Sequence, residues 1–319
     1  MNLTGKKILV TGGAGFIGGH LVNRLVRLKA KVYVIDKYIN PVSYFAKNKL
    51  QKKSKLFIKD ICYFSGLKKI IEKNKIEYLV HLAAESTVNA GYFNPKKTLK
   101  NNILGTVNVL EVGRINKNIK GIIVASSDKA YGKLQEKKYR ETDSLSADHP
   151  YNVSKSASDL ISTAYVRTYD LPVVITRFGN VYGEGDIHFD RIIPGIMISL
   201  INNKKLKIRS NGKYRRDYIY VEDVVDGYIL LLKNIEKVKG EAYNFGSKEN
   251  LSVTELIKLI EKTLNKKINY KILNIAKNEV HSQSLDYSKI KKMLKWQPKH
   301  SISVTVKKIL SWYSKYLNK

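Results

Sequence analysis

The sequence predicts an α/β fold: a Rossmann-type doubly wound parallel sheet with a smaller C-terminal α/β substrate-binding lobe. Residues 6–36 read as a strand, a glycine-rich turn, a helix and a second strand, a βαβ unit of about 30 residues. Strand-like and helical segments then alternate to about residue 176. Two later strands, YLVHLAA and GIIVASS, are apolar throughout, as expected where helices cover both faces of a parallel sheet.

The individual elements follow from local patterns. After the turn at 11–18, the apolar residues of GHLVNRLVRLKA recur at helical spacing, and KVYVID at 31–36 is rich in β-branched and aromatic residues. Further strands are expected at 55–60, 77–84, 121–127 and 171–178, and further helices around 67–71, 95–115, 151–169, 194–203, 253–265 and 302–317. We predict a dinucleotide-binding domain over 1–176 and a ligand-binding lobe over 177–319, interleaved with the first.

Composition excludes several classes of protein. The 319 residues are 43% hydrophobic and 27% charged, near the globular norm, which excludes a disordered or collagen-like chain. The apolar runs are strand-sized, the N-terminal residues lack the apolar core of a signal peptide, and a single cysteine, Cys62, cannot form an internal disulfide. These features predict a cytoplasmic protein that does not enter a membrane.

The charge balance is strongly basic, with 58 basic and 27 acidic residues and a net charge of +31. Lysines, spread along the chain, far outnumber arginines, the side chains better suited to reading bases and gripping phosphates. We therefore expect no specific nucleic-acid partner, only weak adhesion at low salt.

A glycine-rich turn indicates a dinucleotide site. Gly12, Gly13, Gly15 and Gly18 follow a strand and open a helix. Glycine permits a close approach of the backbone to a pyrophosphate at a helix N-terminus, where unpaired N–H groups favour anions. Asp36 ends the next strand, 18 residues after Gly18, near the spacing of about 20 for a carboxylate that binds a ribose 2′-hydroxyl.

The acid at the end of the second strand also bears on the choice of cofactor. The carboxylate of Asp36 repels a 2′-phosphate, so the sequence favours NAD, although Lys37 leaves NADP open. Asp60 ends the third strand and is expected on the adenine side of the cofactor, with an ordinary loop acid as the alternative.

Tyr151 and Lys155 are candidate catalytic residues. They stand four residues apart in YNVSK, on one face of the predicted helix. A free tyrosine has a pKa of about 10, which a nearby cation lowers. The pair can then take a proton from a sugar hydroxyl while a hydride leaves the same carbon for a nicotinamide. Because the chain has 21 tyrosines, the position after GIIVASS supports this role more than the spacing does.

The sequence resembles the extended short-chain dehydrogenase/reductase family over nearly its whole length. The resemblance is carried by TGGAGFIG (11–18), HLAAES (81–86), NILGTVNVLE (102–111), SSDKAYG (126–132), YNVSK (151–155), RFGNVYG (177–183), RRDYIYVED (215–223) and LDYSKIKKMLKWQP (285–298). It implies tightly bound NAD and a catalytic trio of Ser127, Tyr151 and Lys155. It also implies cofactor contacts from Gly12, Gly15, Phe16, Ile17, Gly18, Asp36, Asp60, Ile61, Leu82, Ala83, Ala84, Asn102, Tyr151 and Lys155, with Asn102 bridging backbone segments.

Within that family, the two residues after Ser127 distinguish reactions. Nucleotide-sugar 4,6-dehydratases carry two ionisable groups there, and this chain has Asp128 and Lys129. The Asp–Lys pair resembles CDP-glucose 4,6-dehydratases and also inverting dehydratases of UDP-N-acetylglucosamine. After C4 oxidation, Lys129 is expected to remove the C5 proton and Asp128 to protonate the departing C6 hydroxyl, before a hydride returns to C6. A salt-bridging pair at a helix start is the structural alternative.

Two further stretches, GNVYGEGDIHFDRIIP (179–194) and EVHSQSLD (279–286), resemble the CDP-glucose group. They imply that Asn180, Arg191 and Arg216 face the sugar nucleotide, and Glu85 and Ser86 are further substrate candidates. Arg216 offers a fork to the diphosphate. The turn GGAGFIG departs from the GHTGFKG-like turn usual in that group, which leaves the nucleotide base open.

The sequence therefore predicts an NAD-dependent nucleotide-sugar 4,6-dehydratase, with a 4-epimerase as the alternative and a sensor without turnover as a third. In that interpretation residues 177–319 form the nucleotide-sugar-binding lobe. His81, His188 and His281 are expected to be structural or to support other site residues rather than to be catalytic, and no metal-ligand spacing is present. The resemblance implies a homodimer formed through the helices near 95–115 and 151–169.

Overall fold

The computed structural model describes residues 1–133, 138–275 and 280–317, so Glu279 of the EVHSQSLD stretch lies outside the described residues. Its strands are β1 (Lys7–Thr11), β2 (Lys31–Asp36), β3 (Lys55–Ile58), β4 (Tyr78–His81), β5 (Gly121–Ala125), β6 (Val173–Phe178), β7 (Asn180–Tyr182), β8 (Leu206–Ile208), β9 (Arg215–Tyr220), β10 (Ala242–Phe245), β11 (Asn250–Ser252), β12 (Tyr270–Ile272) and β13 (Ser282–Gln283).

The helices alternate with these strands. They are α1 (Phe16–Arg27), α2 (Tyr44–Lys47), α3 (Phe64–Asn74), α4 (Val88–Phe93), α5 (Pro95–Leu99), α6 (Gly105–Ile115), α7 (Pro150–Tyr169), α8 (Ile192–Ile201), α9 (Val221–Lys233), α10 (Ile235–Val238), α11 (Val253–Leu264), α12 (Ser288–Leu294) and α13 (Ile302–Leu317). Short 3-10 turns cover Leu50–Lys52 and Asp128–Tyr131. Across the three described stretches, no helix combines the length and apolar character needed to cross a membrane.

The predicted doubly wound sheet is confirmed. In the described chain, seven strands pair in parallel in the order β10-β6-β5-β4-β1-β2-β3. The chain moves outward in one direction through β2 and β3 and in the other through β4, β5 and β6. The two directions diverge between β1 and β4, and ligands of such folds bind outside the carboxyl ends of the strands at this point.

Both faces of the sheet are covered, as the apolar strands predicted. Every residue of β4 and β6 is buried. On β1, Ile8 and Val10 belong to a core shared with α1 and α9, whereas Leu9 belongs to a second core shared with α3 and α6. This alternation is the period-2 pattern of a strand buried on both sides.

The helix expected over 95–115 contains an interruption that the sequence did not indicate. The five residues Lys100–Leu104, between α5 and α6, form a π-helical segment in which Asn101 and Asn102 are buried. Such segments are frequent at functional sites, and this one carries a predicted site residue.

A second, smaller lobe follows β6. In it β9 pairs with β7, β11 and β13, and β8 pairs with β12. Its core joins α8, α11 and α13 through residues such as Ile196, Leu256 and Ile309. The chain nevertheless returns to the first sheet, because β10 pairs with β6 and α9 packs on α1. The division at residue 176 stays a prediction.

Candidate active site

A cleft of about 1050 Å³ lies between the carboxyl edge of the large sheet and the second lobe. Nearly all predicted site residues line it. They are Gly12, Gly15, Phe16, Ile17, Gly18, Asp36, Ile61, Leu82, Ala83, Ala84, Glu85, Ser86, Ser127, Asp128, Lys129, Tyr151, Lys155, Asn180, Arg191 and Arg216. Asp60 and Asn102 are not among the lining residues, but each contacts a residue that is, Lys37 and Glu85 respectively.

The glycine-rich turn is packed too tightly for side chains. Gly12 has a φ of +69°, and a Cβ there would lie 2.7 Å from the backbone nitrogen of Ala83. A Cβ on Gly18 would lie 2.7 Å from the Cα of Gly13. The turn therefore holds the start of α1 directly against β1 and β4, with its backbone open to the cleft.

The N-terminus of α1 can receive an anion. Gly15 is the N-cap, and no side chain of the described residues caps the helix there. Unpaired N–H groups of the first helical turn favour a negatively charged group such as a pyrophosphate. The cradle and the uncapped helix end together fit the diphosphate of NAD.

Asp36 lies at the end of β2, beside this turn. Its carboxylate accepts the N–H of Ala14 at 3.0 Å and the N–H of Lys37 at 2.8 Å. Burial raises the pKa of Asp36, and these hydrogen bonds oppose the shift. The ammonium of Lys37 pairs with Asp60 at 3.2 Å. Asp60 therefore contacts Lys37, the residue whose positive charge left NADP possible as the cofactor.

Tyr151 and Lys155 both lie at the start of α7, line the cleft and are more than nine-tenths buried. Burial raises the pKa of Tyr151 to about 12; the charge of Asp128 adds to the rise, while Arg191 and a hydrogen bond with Ser127 oppose it. Burial lowers the pKa of Lys155 to about 8, and its Nζ donates to the carbonyl of Ala125 at 2.8 Å. The predicted lowering of the Tyr151 pKa by a nearby cation is therefore wrong for the protein without ligands. Burial of Tyr151 outweighs the opposing effects of Arg191 and Ser127.

The 3-10 turn after β5 presents Ser127, Asp128 and Lys129 to the cleft. The Ser127 hydroxyl accepts the backbone N–H of Lys129 at 3.2 Å and donates to Asp128 Oδ1 at 2.9 Å. Lys129 Nζ donates to Asp128 Oδ2 at 2.9 Å, and the two side chains are only 15% and 4% exposed. Asp128 and Lys129 thus form an ion pair, as the structural alternative predicted, and they also line the cleft, as a catalytic pair would have to.

Asn102 holds the loop after β4 in place from within the π-helical segment. Its Oδ1 accepts the N–H of Glu85 at 2.8 Å, and its Nδ2 donates to the carbonyl of Glu85 at 3.2 Å and to Ser154 at 2.8 Å. The buried amide therefore ties residues 85 and 154 together, beside the helix that carries Tyr151.

The second lobe contributes cationic side chains. Arg191 donates to the carbonyl of Ser86 at 3.0 Å and to Asp186 at 3.2 Å. Burial opposes the ionisation of Asp186, but Arg191 and His188 outweigh it and lower its pKa. Arg216 on β9 donates to the carbonyl of Arg215 at 2.8 Å and lines the cleft. Positive charge of this kind suits the diphosphate of a sugar nucleotide.

Of the three histidines named from the sequence, His188 lines the cleft, whereas His81 and His281 are not among the lining residues. His81 is hydrogen-bonded to Thr11 at 2.8 Å and to Thr106 at 3.2 Å, and burial lowers its pKa to about 3. His188 bonds Asp186 at 2.9 Å, and His281 stacks on Tyr214 with ring centroids 5.0 Å apart.

Three functional candidates were missed. Asp186 and Arg209 line the cleft, and Arg209 donates to Asn89 at 2.5 Å. Gln283 accepts a hydrogen bond from Lys129 Nζ at 2.6 Å. Asp186 and Gln283 lie inside GNVYGEGDIHFDRIIP and EVHSQSLD, stretches that the resemblance singled out without assigning those residues a role.

Comparison with known proteins agrees with this geometry. Residues 9–309 match the model of the GDP-mannose 4,6 dehydratase family. The chain is 30% identical to a dTDP-D-glucose 4,6-dehydratase from Mus musculus over 322 residues, covering 97% of this chain and 89% of that protein. It spans about half the length (47%) of trifunctional Arabidopsis thaliana proteins that include a UDP-glucose 4,6-dehydratase, at 31% identity.

Solved structures resemble the whole chain. A UDP-glucuronic acid 4-epimerase from Bacillus cereus, in complex with its sugar nucleotide and NAD, superposes with a TM-score of 0.89 at 27% identity, covering 97% of this chain and 99% of that one. A dTDP-glucose 4,6-dehydratase from Streptomyces venezuelae with NAD bound superposes with a TM-score of 0.87 at 27% identity, covering 97% of each chain. The chain belongs to the GDP-mannose 4,6 dehydratase family, within the NAD-dependent extended short-chain dehydrogenase/reductases that comprise nucleotide-sugar dehydratases and epimerases.

Proposed function

We propose that this protein is an NAD-dependent nucleotide-sugar 4,6-dehydratase that converts a nucleoside diphosphate hexose to its 4-keto-6-deoxy derivative. One observation carries the proposal: Asp128 and Lys129 form a largely buried ion pair that lines the same cleft as Tyr151. Beyond the base for the C4 hydroxyl, an elimination needs a second base at C5 and an acid at C6, and an epimerisation at C4 does not need this second pair.

Oxidation at C4 depends on Tyr151, which would accept the hydroxyl proton. Ser127 forms a hydrogen bond with Tyr151 that orients the phenol and lowers its pKa. When its hydroxyl donates to the phenolate, it no longer donates to Asp128 Oδ1. The ammonium of Lys155, held by the carbonyl of Ala125, supplies a positive charge on the same helix. NAD held by the turn of Gly12, Gly15 and Gly18 would supply the acceptor for the C4 hydride and the donor of the hydride to C6.

Elimination across C5 and C6 would use the ion pair in its neutral form. The 4-ketone acidifies C5–H, and the amine of Lys129 takes that proton as the C5–C6 double bond forms. The C6–O bond breaks while the carboxylic acid of Asp128 gives its proton to the departing hydroxyl, which leaves as water. This step ends with an ammonium and a carboxylate, the pair found 2.9 Å apart. A proton transfer within the pair resets both groups.

For substrate binding, we propose that Arg191 and Arg216 contact the diphosphate, with Asn180, Glu85 and Ser86 near the sugar. The cationic lining of the second lobe supports this assignment. A cytidine base remains a prediction that rests on the resemblance of residues 179–194 and 279–286 to CDP-glucose 4,6-dehydratases.

The test is incubation with the diphosphate glucoses of cytidine, uridine, thymidine and guanosine in D₂O. A 4-keto-6-deoxy product with one deuterium at C5 is expected from at least one of them, because C5 is reprotonated from solvent. Turnover without loss of water would contradict the proposal.

A 4-epimerase is the second candidate, since relatives of similar identity are UDP-glucuronate 4-epimerases. An epimerase would invert C4, keep the C6 oxygen and incorporate no solvent deuterium at C5. The same incubation therefore separates the two activities.

We also propose a homodimer formed through residues 95–115, which comprise α5, the π-helical segment and α6, and through α7. Apolar side chains on these elements are exposed, among them Leu104, Ile115, Val153 and Leu160. An exposed apolar face on two packed helices is typical of a protein–protein contact. Sedimentation velocity of wild type and Leu160→Lys tests this proposal: the variant is expected to sediment as a monomer, and an unchanged dimer would contradict the assigned face.

A further inference from the structure

Gln283 is a buried polar residue that the reaction described above does not use. It lies on β13 and is 1% exposed. Its Oε1 accepts a hydrogen bond from Lys129 Nζ at 2.6 Å. Because an ammonium can only donate, the amide oxygen and not the amide nitrogen faces Lys129. Gln283 on β13 of the second lobe thus contacts Lys129 of the first lobe.

The other half of this amide lacks a hydrogen bond. Gln283 Nε2 is buried and has no partner among residues 1–133, 138–275 and 280–317. Leaving a buried donor unsatisfied is unfavourable, and an apolar side chain of similar size would avoid the penalty. The hydrogen bond from Lys129 to Gln283 Oε1 therefore explains a glutamine at this buried position better than packing does.

The backbone around Gln283 is held firmly. Its carbonyl accepts the side-chain amide of Asn250 at 2.8 Å, and its strand pairs with β9 opposite Arg216. Asp217 accepts the N–H of Leu285 at 2.8 Å and the Asn250 amide at 2.9 Å. These contacts anchor β13 to β9, so the amide is presented to Lys129 from a fixed support.

We propose that Gln283 is a positioning residue that holds the Lys129 amine toward C5 of the sugar. This inference rests on the proposed 4,6-dehydratase function. A neutral amine has two N–H groups and one lone pair. Asp128 at 2.9 Å and Gln283 at 2.6 Å engage two donors and so fix the direction of the lone pair on an otherwise flexible side chain.

Other titratable groups surround this pair and bear on its pH dependence. Asp128 is the charged partner of Lys129. Tyr151 on α7 and Asp217 on β9 are close enough to Asp128 for its charge to raise the pKa of each, in addition to the larger effect of burial. Arg216 lies opposite Gln283 in the β9–β13 register. Variants of Gln283 leave these four groups unchanged.

The test uses the NAD-loaded enzyme and two variants. Gln283→Leu removes the oxygen at similar volume, and Gln283→Glu replaces the amide with a carboxylate. Ser282→Ala, an exposed neighbour on the same strand, is the matched control. With CDP-glucose, UDP-glucose and dTDP-glucose in turn, single-turnover absorbance reports C4 oxidation and mass spectrometry in D₂O reports elimination.

For Gln283→Leu, elimination at high pH is expected to slow by about 2- to 10-fold, the effect of one hydrogen bond between neutral groups, while C4 oxidation is unchanged. The midpoint of the elimination pH profile is expected to move to lower pH in Gln283→Leu and to higher pH in Gln283→Glu. An equal loss of oxidation and elimination with an unmoved midpoint would show that Gln283 only packs the lobes, and would overturn the proposal.

A second readout separates this inference from the proposed function. Lysine labelled with ¹³C at Cε gives an NMR titration, with the Lys129 signal assigned from Lys129→Arg. If wild type dehydrates no sugar nucleotide, the proposed function fails, but a lower Lys129 midpoint in Gln283→Leu still supports the contact. An unchanged midpoint overturns it.

Discussion

At the scale of single residues, burial and partner charges shift the pKa values of Tyr151 and Lys155 in the cleft. Burial raises the pKa of Tyr151 despite the opposing charge of Arg191, whereas burial lowers the pKa of Lys155. Desolvation acts in opposite directions on an acid and a base, because in both cases it disfavours the charged form. The buried phenol of Tyr151 therefore needs assistance to ionise at neutral pH.

The first residue-scale prediction concerns Tyr151→Phe. Removing the hydroxyl removes the proton acceptor, so single-turnover C4 oxidation is expected to fall by about 10²- to 10⁴-fold. The measurement is the absorbance of reduced nicotinamide after mixing with sugar nucleotide. The buried ring is retained, so the thermal midpoint should match wild type; near-normal oxidation would exclude Tyr151 as the base.

The second residue-scale prediction is a stability effect at His81. Burial lowers the pKa of His81 from 6.5 to about 3. His81 therefore becomes protonated below pH 6.5 in the unfolded chain, but only near pH 3 in the folded chain. Stability is retained above this window and lost as the pH falls through it. Between pH 7 and 5, His81 should contribute about 2 kcal/mol to the fall in the free energy of unfolding.

The comparison for His81 is His81→Gln, which keeps an amide near Thr11 and Thr106 but does not titrate. Urea unfolding at pH 7 and pH 5 should show a smaller fall for the variant than for wild type. Equal falls in the two proteins would mean that His81 is not buried in its neutral form.

At the scale of elements, an ion pair and its neighbours join β6, α7 and the 3-10 turn. Arg177 on β6 forms two hydrogen bonds of 2.8 Å with Asp159 on α7. Its third nitrogen donates to the Tyr131 hydroxyl at 2.6 Å, at the end of the turn that carries Asp128 and Lys129. Both partners of the pair are buried, at 5% and 1% exposure.

Asp159→Asn is therefore expected to destabilise the protein by about 3–5 kcal/mol, because it leaves a buried guanidinium without its counter-charge. Denaturant unfolding measures the change. Glu236→Gln, in the exposed pair with Lys239 at 3.0 Å, is the control and should change stability by less than about 0.5 kcal/mol. A similar small effect of Asp159→Asn would contradict the role assigned to this pair.

Local patterns predicted the elements well. The strand over 31–36 and the helix over 302–317 match β2 and α13 residue for residue, because alternation and helical spacing are properties of adjacent residues. The π-helical segment was not predictable in this way. It contains Asn102, whose amide contacts residues 85 and 154, and no local pattern records contacts that distant along the chain.

At the scale of the whole molecule, the two lobes each supply part of the cleft. The cofactor turn and Asp36 could be predicted because they lie within one contiguous βαβ unit. The contact between Lys129 and Gln283 joins residues 154 positions apart, and the return of β10 to the first sheet depends on the complete topology. The sequence motifs identified residues 126–132 and 279–286 separately, but only the folded structure shows that Lys129 and Gln283 are in contact.

The central claim is that the Asp128–Lys129 pair performs an elimination. The most direct measurement is single-turnover reaction of Lys129→Met with the sugar nucleotide that wild type converts, in D₂O. The account predicts that reduced nicotinamide still accumulates, showing C4 oxidation, while water loss and deuterium at C5 fall by about 10²- to 10⁴-fold. Dehydration by this variant at a rate near that of wild type would contradict the account.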